Sequence, residues 1–244
     1  MATIENKDNL DNYNIPYWKN QELPIKGQKF TDPLFPPDEK SLLGLDSNYK
    51  PIDPDAYRNG TIYPFILDFK RPNEIFKNEK YDLFGKIEVD DVIQGSLGDC
   101  YFLAAVANLC KFPELILNLF KTKTLNEDGY YEIIFYIDGI KQIVIIDDYI
   151  PVLKFTNQPY FAKFHENKIW VILLEKAWAK VNGGYVNANG GKAPEAFEIL
   201  TGIGSTSYFL SNIDLIDLTE YKIEIIKNIK NAYKNKSFYI MFNI

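Results

Sequence analysis

Two cysteines, one histidine and no block of basic residues are all that this sequence offers to several common site chemistries. Each scarcity excludes something. Two cysteines in 244 residues make no disulfide framework. Cys100 and Cys110 cannot bridge each other if both lie on one helix, because ten residues of rise is ~15 Å, far beyond disulfide reach. A reducing, cytoplasmic compartment is the simplest fit, and it suits a free thiol. A net charge of −6 with no basic run leaves nucleic-acid binding without an electrostatic footprint. No apolar run approaches the ~18 residues of a membrane-spanning helix, and the N-terminal Met1-Ala-Thr-Ile-Glu has no apolar signal region. No organic cofactor is expected.

Hydrophobic content of 46%, with aromatics at 15%, suffices for a sizeable core. Residues 1–27, rich in Asn, Asp and Lys, read as a mobile leader. Pro33, Pro36, Pro37, Pro51, Pro54, Pro64 and Pro72 predict irregular chain wrapped around a core. A helix is predicted from Asp99 or Cys100 to about Cys110, with Leu103, Ala104, Ala107 and Cys110 on its apolar face. Pro113 should open a second helix that turns Leu115, Ile116, Leu119 and Phe120 inward. Tyr130 to Ile137 and Lys141 to Ile146 flank Asp138-Gly139, which is a β-hairpin signal, and Pro151 should end the pairing. Ile169 to Val181 predicts a strong helix burying Trp170, Leu173, Leu174, Ala177, Trp178 and Val181, with Gly183-Gly184 past its end. A shorter helix should run from near Pro194 to Gly202. Thr219 can cap another, with Ile223, Ile226, Ile229 and Tyr233 at helical spacing. Residues 238–244 alternate as a strand. The sequence stops inside that strand, which predicts a fragment whose downstream part is missing.

One stretch carries chemistry: Gln94-Gly-Ser-Leu-Gly-Asp-Cys100-Tyr-Phe-Leu-Ala-Ala105. A cysteine at a helix start meets unpaired N–H groups and the positive dipole end, which favour its thiolate. A glutamine amide and the cysteine N–H can together bind an oxyanion. Gly95 and Gly98 are expected to turn the backbone tightly and bring Gln94 back to the sulfur. Cys110, further along among apolar neighbours, reads as a structural thiol. The histidine, His165, reads as a plain surface-loop residue, and Asp147-Asp148 at a strand end as salt-bridge or turn residues.

Gln94, Gly98, Cys100, Tyr101, Ala104 and Ala105 fit the nucleophile pattern of papain-like thiol proteases, and the whole string resembles the calpain branch. Phe30-Thr-Asp-Pro-Leu-Phe-Pro-Pro37, Phe69-Lys-Arg-Pro72, Val144-Ile-Ile-Asp-Asp148, Trp170, Leu173-Leu-Glu-Lys-Ala177, Asn182-Gly-Gly-Tyr185, Gly190-Gly191, Glu195 and Thr201-Gly202 extend the resemblance over roughly residues 28–244.

The resemblance implies an α+β protease core. Its mainly helical first lobe would be residues 28–204, with the beginning of a strand-rich second lobe at 205–244. It implies a cysteine endopeptidase acting on protein substrates, with Cys100 as nucleophile and Gln94 as oxyanion donor. The family's histidine (in Gly-His-Ala-Tyr) and asparagine (in Arg-Asn-Pro-Trp) have no match in this sequence and should lie in a missing downstream protease lobe. A catalytically silent calpain-like binding or regulatory module is the alternative, and a plain structural α+β domain a third. The resemblance also implies calcium on the first lobe, held by Asp91, by carbonyls near Leu83 and Gly85, and by a glutamate. The glutamate position is Lys168, and a lysine ammonium repels a hard cation. Weak or no calcium binding is therefore expected there.

Overall fold

The computed structural model describes residues 24–46 and 62–205, together with Gln21, Asn48, Lys50, Ile223, Lys227, Asn228, Lys230 and Asn231. Its elements are α1 (Glu39–Leu43), β1 (Leu67–Lys70), α2 (Pro72–Phe76), α3 (Cys100–Leu109), α4 (Pro113–Leu119), β2 (Tyr130–Ile137), β3 (Ile140–Asp147), β4 (Ile150–Leu153), α5 (Trp170–Val181) and α6 (Ala193–Thr201). Short 3₁₀ turns lie at Pro64–Ile66, Val89–Asp91 and Val186–Ala188. The strands form two separate antiparallel pairs, β1 with β4 and β2 with β3. Helices packed beside small antiparallel sheets make the fold α+β. Among the described residues no helix is long and apolar enough to cross a membrane.

Local chemistry explains several elements as expected. Asp138 and Gly139 both take positive φ, 53° and 72°, the geometry of a two-residue type I′ turn, and they set the β2–β3 register from Ile137↔Ile140 to Tyr130↔Asp147. Pro113 stands in the first turn of α4. Gly202 ends α6 in the left-handed conformation, φ 70°. The predicted helix after Thr219 lies largely outside the described residues, although Ile223, Lys227, Asn228, Lys230 and Asn231 are helical. The predicted strand at 238–244 lies wholly outside them. Within the stretch read as a leader, Gln21 exchanges two hydrogen bonds with the Ile145 backbone, at 2.8 and 2.9 Å.

Three expectations need correction. Pro151 does not end the pairing: it sits inside β4 opposite Phe69. Its carbonyl accepts from Tyr160 N–H, and the Leu153 N–H donates to Gln158. Odd residues of β4 thus point away from β1, so the missing N–H costs nothing on the paired side. On α3 the buried face is Tyr101, Phe102, Leu103, Ala105, Val106 and Leu109, whereas Ala104 and Ala107 are half-buried. The large side chains and Ala105 face the core, while Ala104 and Ala107 take the flank. Finally, α5 buries all twelve of its residues, Glu175, Lys176 and Lys180 included.

Those buried charges account for the way α5 is held. Lys180 Nζ lies 2.6 Å from Asp32 Oδ2 and 2.7 Å from the Ile145 carbonyl. Lys176 pairs with Asp147 and donates to the Tyr149 carbonyl at 2.7 Å. Asp147 also receives the Asp32 N–H at 2.8 Å. Asp148 pairs with Arg71, whose other arm donates to the Phe30 carbonyl at 2.6 Å. The Asp147-Asp148 pair is thus structural, as the sequence suggested. A buried ion stays charged only when its neighbours complete its hydrogen bonds, and here each lysine has a carboxylate and a carbonyl.

Candidate active site

The residues from Gln94 to Cys100 form a loop between the Val89–Asp91 turn and α3. Cys100 is the first residue of α3 and is exposed. Asp99 precedes it, and its carbonyl accepts from Phe102 and Leu103 N–H at 2.9 and 3.0 Å, which starts the helix. The next residues anchor α3 from below. Tyr101 donates its hydroxyl to the Ala188 carbonyl at 3.0 Å and accepts Trp178 Nε1–H at 3.1 Å. Phe102 stacks on Trp178 of α5 at 4.7 Å between ring centroids. The thiol therefore stands on a rigid support while facing solvent.

Gln94 is exposed, and its amide donates to the Leu97 carbonyl of the same loop at 2.7 Å. An amide nitrogen carries two donors, so one remains for a ligand. The glycines do not act as expected, since neither Gly95 nor Gly98 has positive φ. They permit close approach instead. A Cβ on Gly95 would fall 1.7 Å from the Phe161 carbonyl oxygen, and one on Gly98 would fall 2.2 Å from Asn189 Oδ1. Ser96 N–H donates to the Tyr160 carbonyl at 3.1 Å, Gly98 N–H to Asn189 Oδ1 at 2.9 Å, and Gly190 N–H to the Gly98 carbonyl at 2.9 Å. The loop is thus strapped onto residues 160–161 and 189–190.

Cys110 lies at the other end of α3, 5% exposed, with its Sγ 3.4 Å from the Val106 carbonyl. Burial, assisted by the nearby Asp91 charge, pushes its thiol up to about 12. Burial and the raised value both disfavour its thiolate, which fits the structural role read from the sequence.

Two aspartates flank the loop. Asp91 is 1% exposed. It accepts from Lys168 Nζ at 2.8 Å, Trp170 Nε1 at 3.1 Å and the Glu88 N–H at 3.1 Å, and it lies 2.9 Å from His165 Nδ1. Burial opposes its charge, but these donors outweigh burial and hold its carboxyl below the usual range. His165 is therefore not a plain surface residue: it faces Asp91, and its side chain is only 31% exposed. Leu83 O accepts Trp170 N–H at 3.0 Å, while Lys86 O receives Lys168 Nζ at 2.7 Å. This group does not fit a divalent ion, because an ammonium lies among the oxygens that would bind it.

Asp99 is the other aspartate, 0% exposed, and among the described residues no donor reaches either carboxylate oxygen. Its neighbour is Glu175, 1% exposed, whose carboxyl accepts Ala162 N–H at 2.9 Å. Two carboxylates in contact have no donor between them, but one proton on either makes a hydrogen bond. Burial raises Asp99 to about 7. Burial, with the Asp99 charge second, lifts Glu175 well above the ordinary carboxylate range. Sequence reasoning missed this pair, and nothing in the local pattern signals it. The Asp91 cluster had one signal, a lysine where an anion was expected.

The calpain family cysteine protease family matches residues 30–242. Among curated proteins, a calpain-type cysteine protease of rice (Oryza sativa subsp. japonica), ADL1, is 36% identical over 189 residues, 75% of this chain and 8% of that protein. Calpain clp-4 of Caenorhabditis elegans is 34% identical over 207 residues, 83% of this chain and 26% of the relative. The bovine calpain-1 catalytic subunit is 34% identical over 188 residues, 75% and 24%. The chain thus spans about a quarter or less of these relatives. With the family match running from before α1 to beyond α6, and a cysteine at the head of α3, this chain belongs to the calpain family of cysteine proteases.

Proposed function

We propose that this chain carries the nucleophile half of a cysteine endopeptidase acting on proteins. The observation that supports it is Cys100 exposed at the first position of a helix whose Tyr101, Phe102, Leu103, Ala105, Val106 and Leu109 are buried in the core. The Cys100 sulfur would attack the carbonyl carbon of a peptide bond, forming a tetrahedral oxyanion. The Cys100 N–H and the free donor of Gln94 would hold that oxygen. Collapse would expel the amine and leave a thioester, which water would hydrolyse to release the acid and the thiol. The leaving amine needs a proton, and the attacking thiol must lose one. His165 faces Asp91, so we assign the base to a histidine supplied from outside these 244 residues. A reducing cytoplasmic setting is proposed from the two free thiols. We assign Cys100 and the loop to the first lobe, residues 28–204.

The test is competitive alkylation followed by a peptidase assay. Cys110 is buried and its thiol is pushed up to about 12, so it stays protonated at pH 8. Cys100 should therefore take essentially all the label, and a peptidyl electrophile should mark it faster than a plain one of equal reactivity. The chain alone should not cleave casein measurably, because general acid–base help is typically worth about 10²–10⁴. Equal labelling of both cysteines would refute the nucleophile assignment. Casein cleavage abolished by Cys100→Ser would refute the external base and return attention to His165. A silent binding module would show no preference for the peptidyl electrophile.

A further inference from the structure

Glu166 and Asn167 both take positive φ, 48° and 56°. The Lys168 N–H returns to the His165 carbonyl at 3.0 Å, and the two flanking residues form a bridge. This is a two-residue reversal like Asp138-Gly139, but without a glycine. A glutamate in the left-handed region is strained, and such geometry persists where surrounding contacts hold it. Here the reversal puts His165 and Lys168 side by side against Asp91.

Lys168 Nζ then meets three oxygens: Lys86 O at 2.7 Å, Asp91 Oδ1 at 2.8 Å and Glu166 Oε2 at 2.9 Å. An ammonium has three donors, and three are used. The side chain is 4% exposed. Gly85, with φ 58°, lies so close that a Cβ there would meet Lys168 Cε at 3.1 Å. One cation thereby gathers the 85–91 segment and the 165–168 turn, and Asp91 stands shortly before Gln94.

We propose that Lys168 is a tethered cation: its ammonium permanently holds the oxygens that a dissociable divalent ion would otherwise gather, so the loop from Gln94 to Cys100 is placed without calcium. The proposal rests on the reading of that loop as the nucleophile loop, and it makes Lys168 a positioning residue. Replacing lysine by glutamate would turn the cluster into three carboxylates and a carbonyl, an all-oxygen set suited to a hard cation. Magnesium, which demands a small octahedral shell, would fit it less well.

The experiment uses the full chain and its Lys168→Glu and Lys168→Met variants, each in chelator, in magnesium and in calcium. Thermal unfolding and the alkylation rate of Cys100 are read in each case. The unmodified protein should show the same Tm and the same rate, within about twofold, in all three. Lys168→Glu should lose stability in chelator and regain it in calcium, with Cys100 labelling changing by about tenfold or more. Lys168→Met should lose stability and not respond to calcium, which separates a cation site from general damage. A calcium-dependent rise in Tm for the unmodified protein overturns the proposal. So does failure of calcium to restore Lys168→Glu, whether that variant is folded in chelator or not. If Cys100 is unreactive throughout while the Tm shifts come out as stated, the nucleophile assignment falls and the tethered cation stands.

Discussion

Asp91 and Asp99 stand at the two ends of the same loop, and both are removed from solvent. Asp91 is surrounded by donors and is held in its charged form. Asp99 meets another carboxyl and is pushed toward its neutral form. Burial opposes the charge of both; at Asp91 the surrounding donors outweigh it, and at Asp99, facing another carboxyl, it prevails. One end of the loop is closed by a cation and the other by a pair of buried carboxyls, with glycine-sized contacts between them.

The largest effect should come from removing the cation. Lys168→Met leaves Asp91 buried with its strongest partner gone, and breaking a buried pair costs about 3–5 kcal/mol. Urea unfolding at neutral pH measures it, and a loss within experimental error would mean that His165 and Trp170 suffice for Asp91. Next come the glycines. Gly95→Ala meets the Phe161 backbone and should cost about 3 kcal/mol, because a carbonyl cannot step aside. Gly98→Ala meets the Asn189 side chain and should cost about 1 kcal/mol, since that side chain can rotate away with loss of its bond from the Gly98 N–H. Equal costs would show that residues 160–161 yield as readily as Asn189.

The sharpest test of the comparison concerns proton linkage. Asp99 has a raised folded value, about 7. The folded protein therefore keeps a proton that the unfolded chain has released, and stability falls as pH rises from the ordinary carboxylate range to about 7. Asp91 has a lowered value, so its contribution is present above its unfolded value and is lost as pH falls through the depressed one. Other groups near the pair include Lys163, which lies close to Glu175, and the buried Tyr185. Asp99→Asn can still donate to Glu175 and should flatten the decline between about pH 5 and about pH 7, leaving the acid limb in place. Stability curves for both proteins across pH decide this. An unchanged decline would assign the proton to Glu175 alone.

Features set by neighbours in the chain were legible without a structure. Asp138-Gly139 dictates the hairpin because both residues tolerate positive φ. Pro113 and Gly202 punctuate helices for equally local reasons. The spacing of Gln94 and Cys100 marked the candidate site, and the motif string pointed to the family. Tertiary structure decided the rest. Pro151 could enter a strand because its bare nitrogen faces away from β1. Lys176 and Lys180 could be buried because Asp147 and Asp32 come from distant segments to meet them. Gly95 and Gly98 are small because other loops press against them, not because they turn. His165, Lys168 and Asp91 became one cluster only when residues 85–91 and 165–170 were brought together. Backbone preference acts over a few residues and can be read in order along the chain. The charge state and room of a buried group depend on whatever the fold carries to it, and that is settled in space.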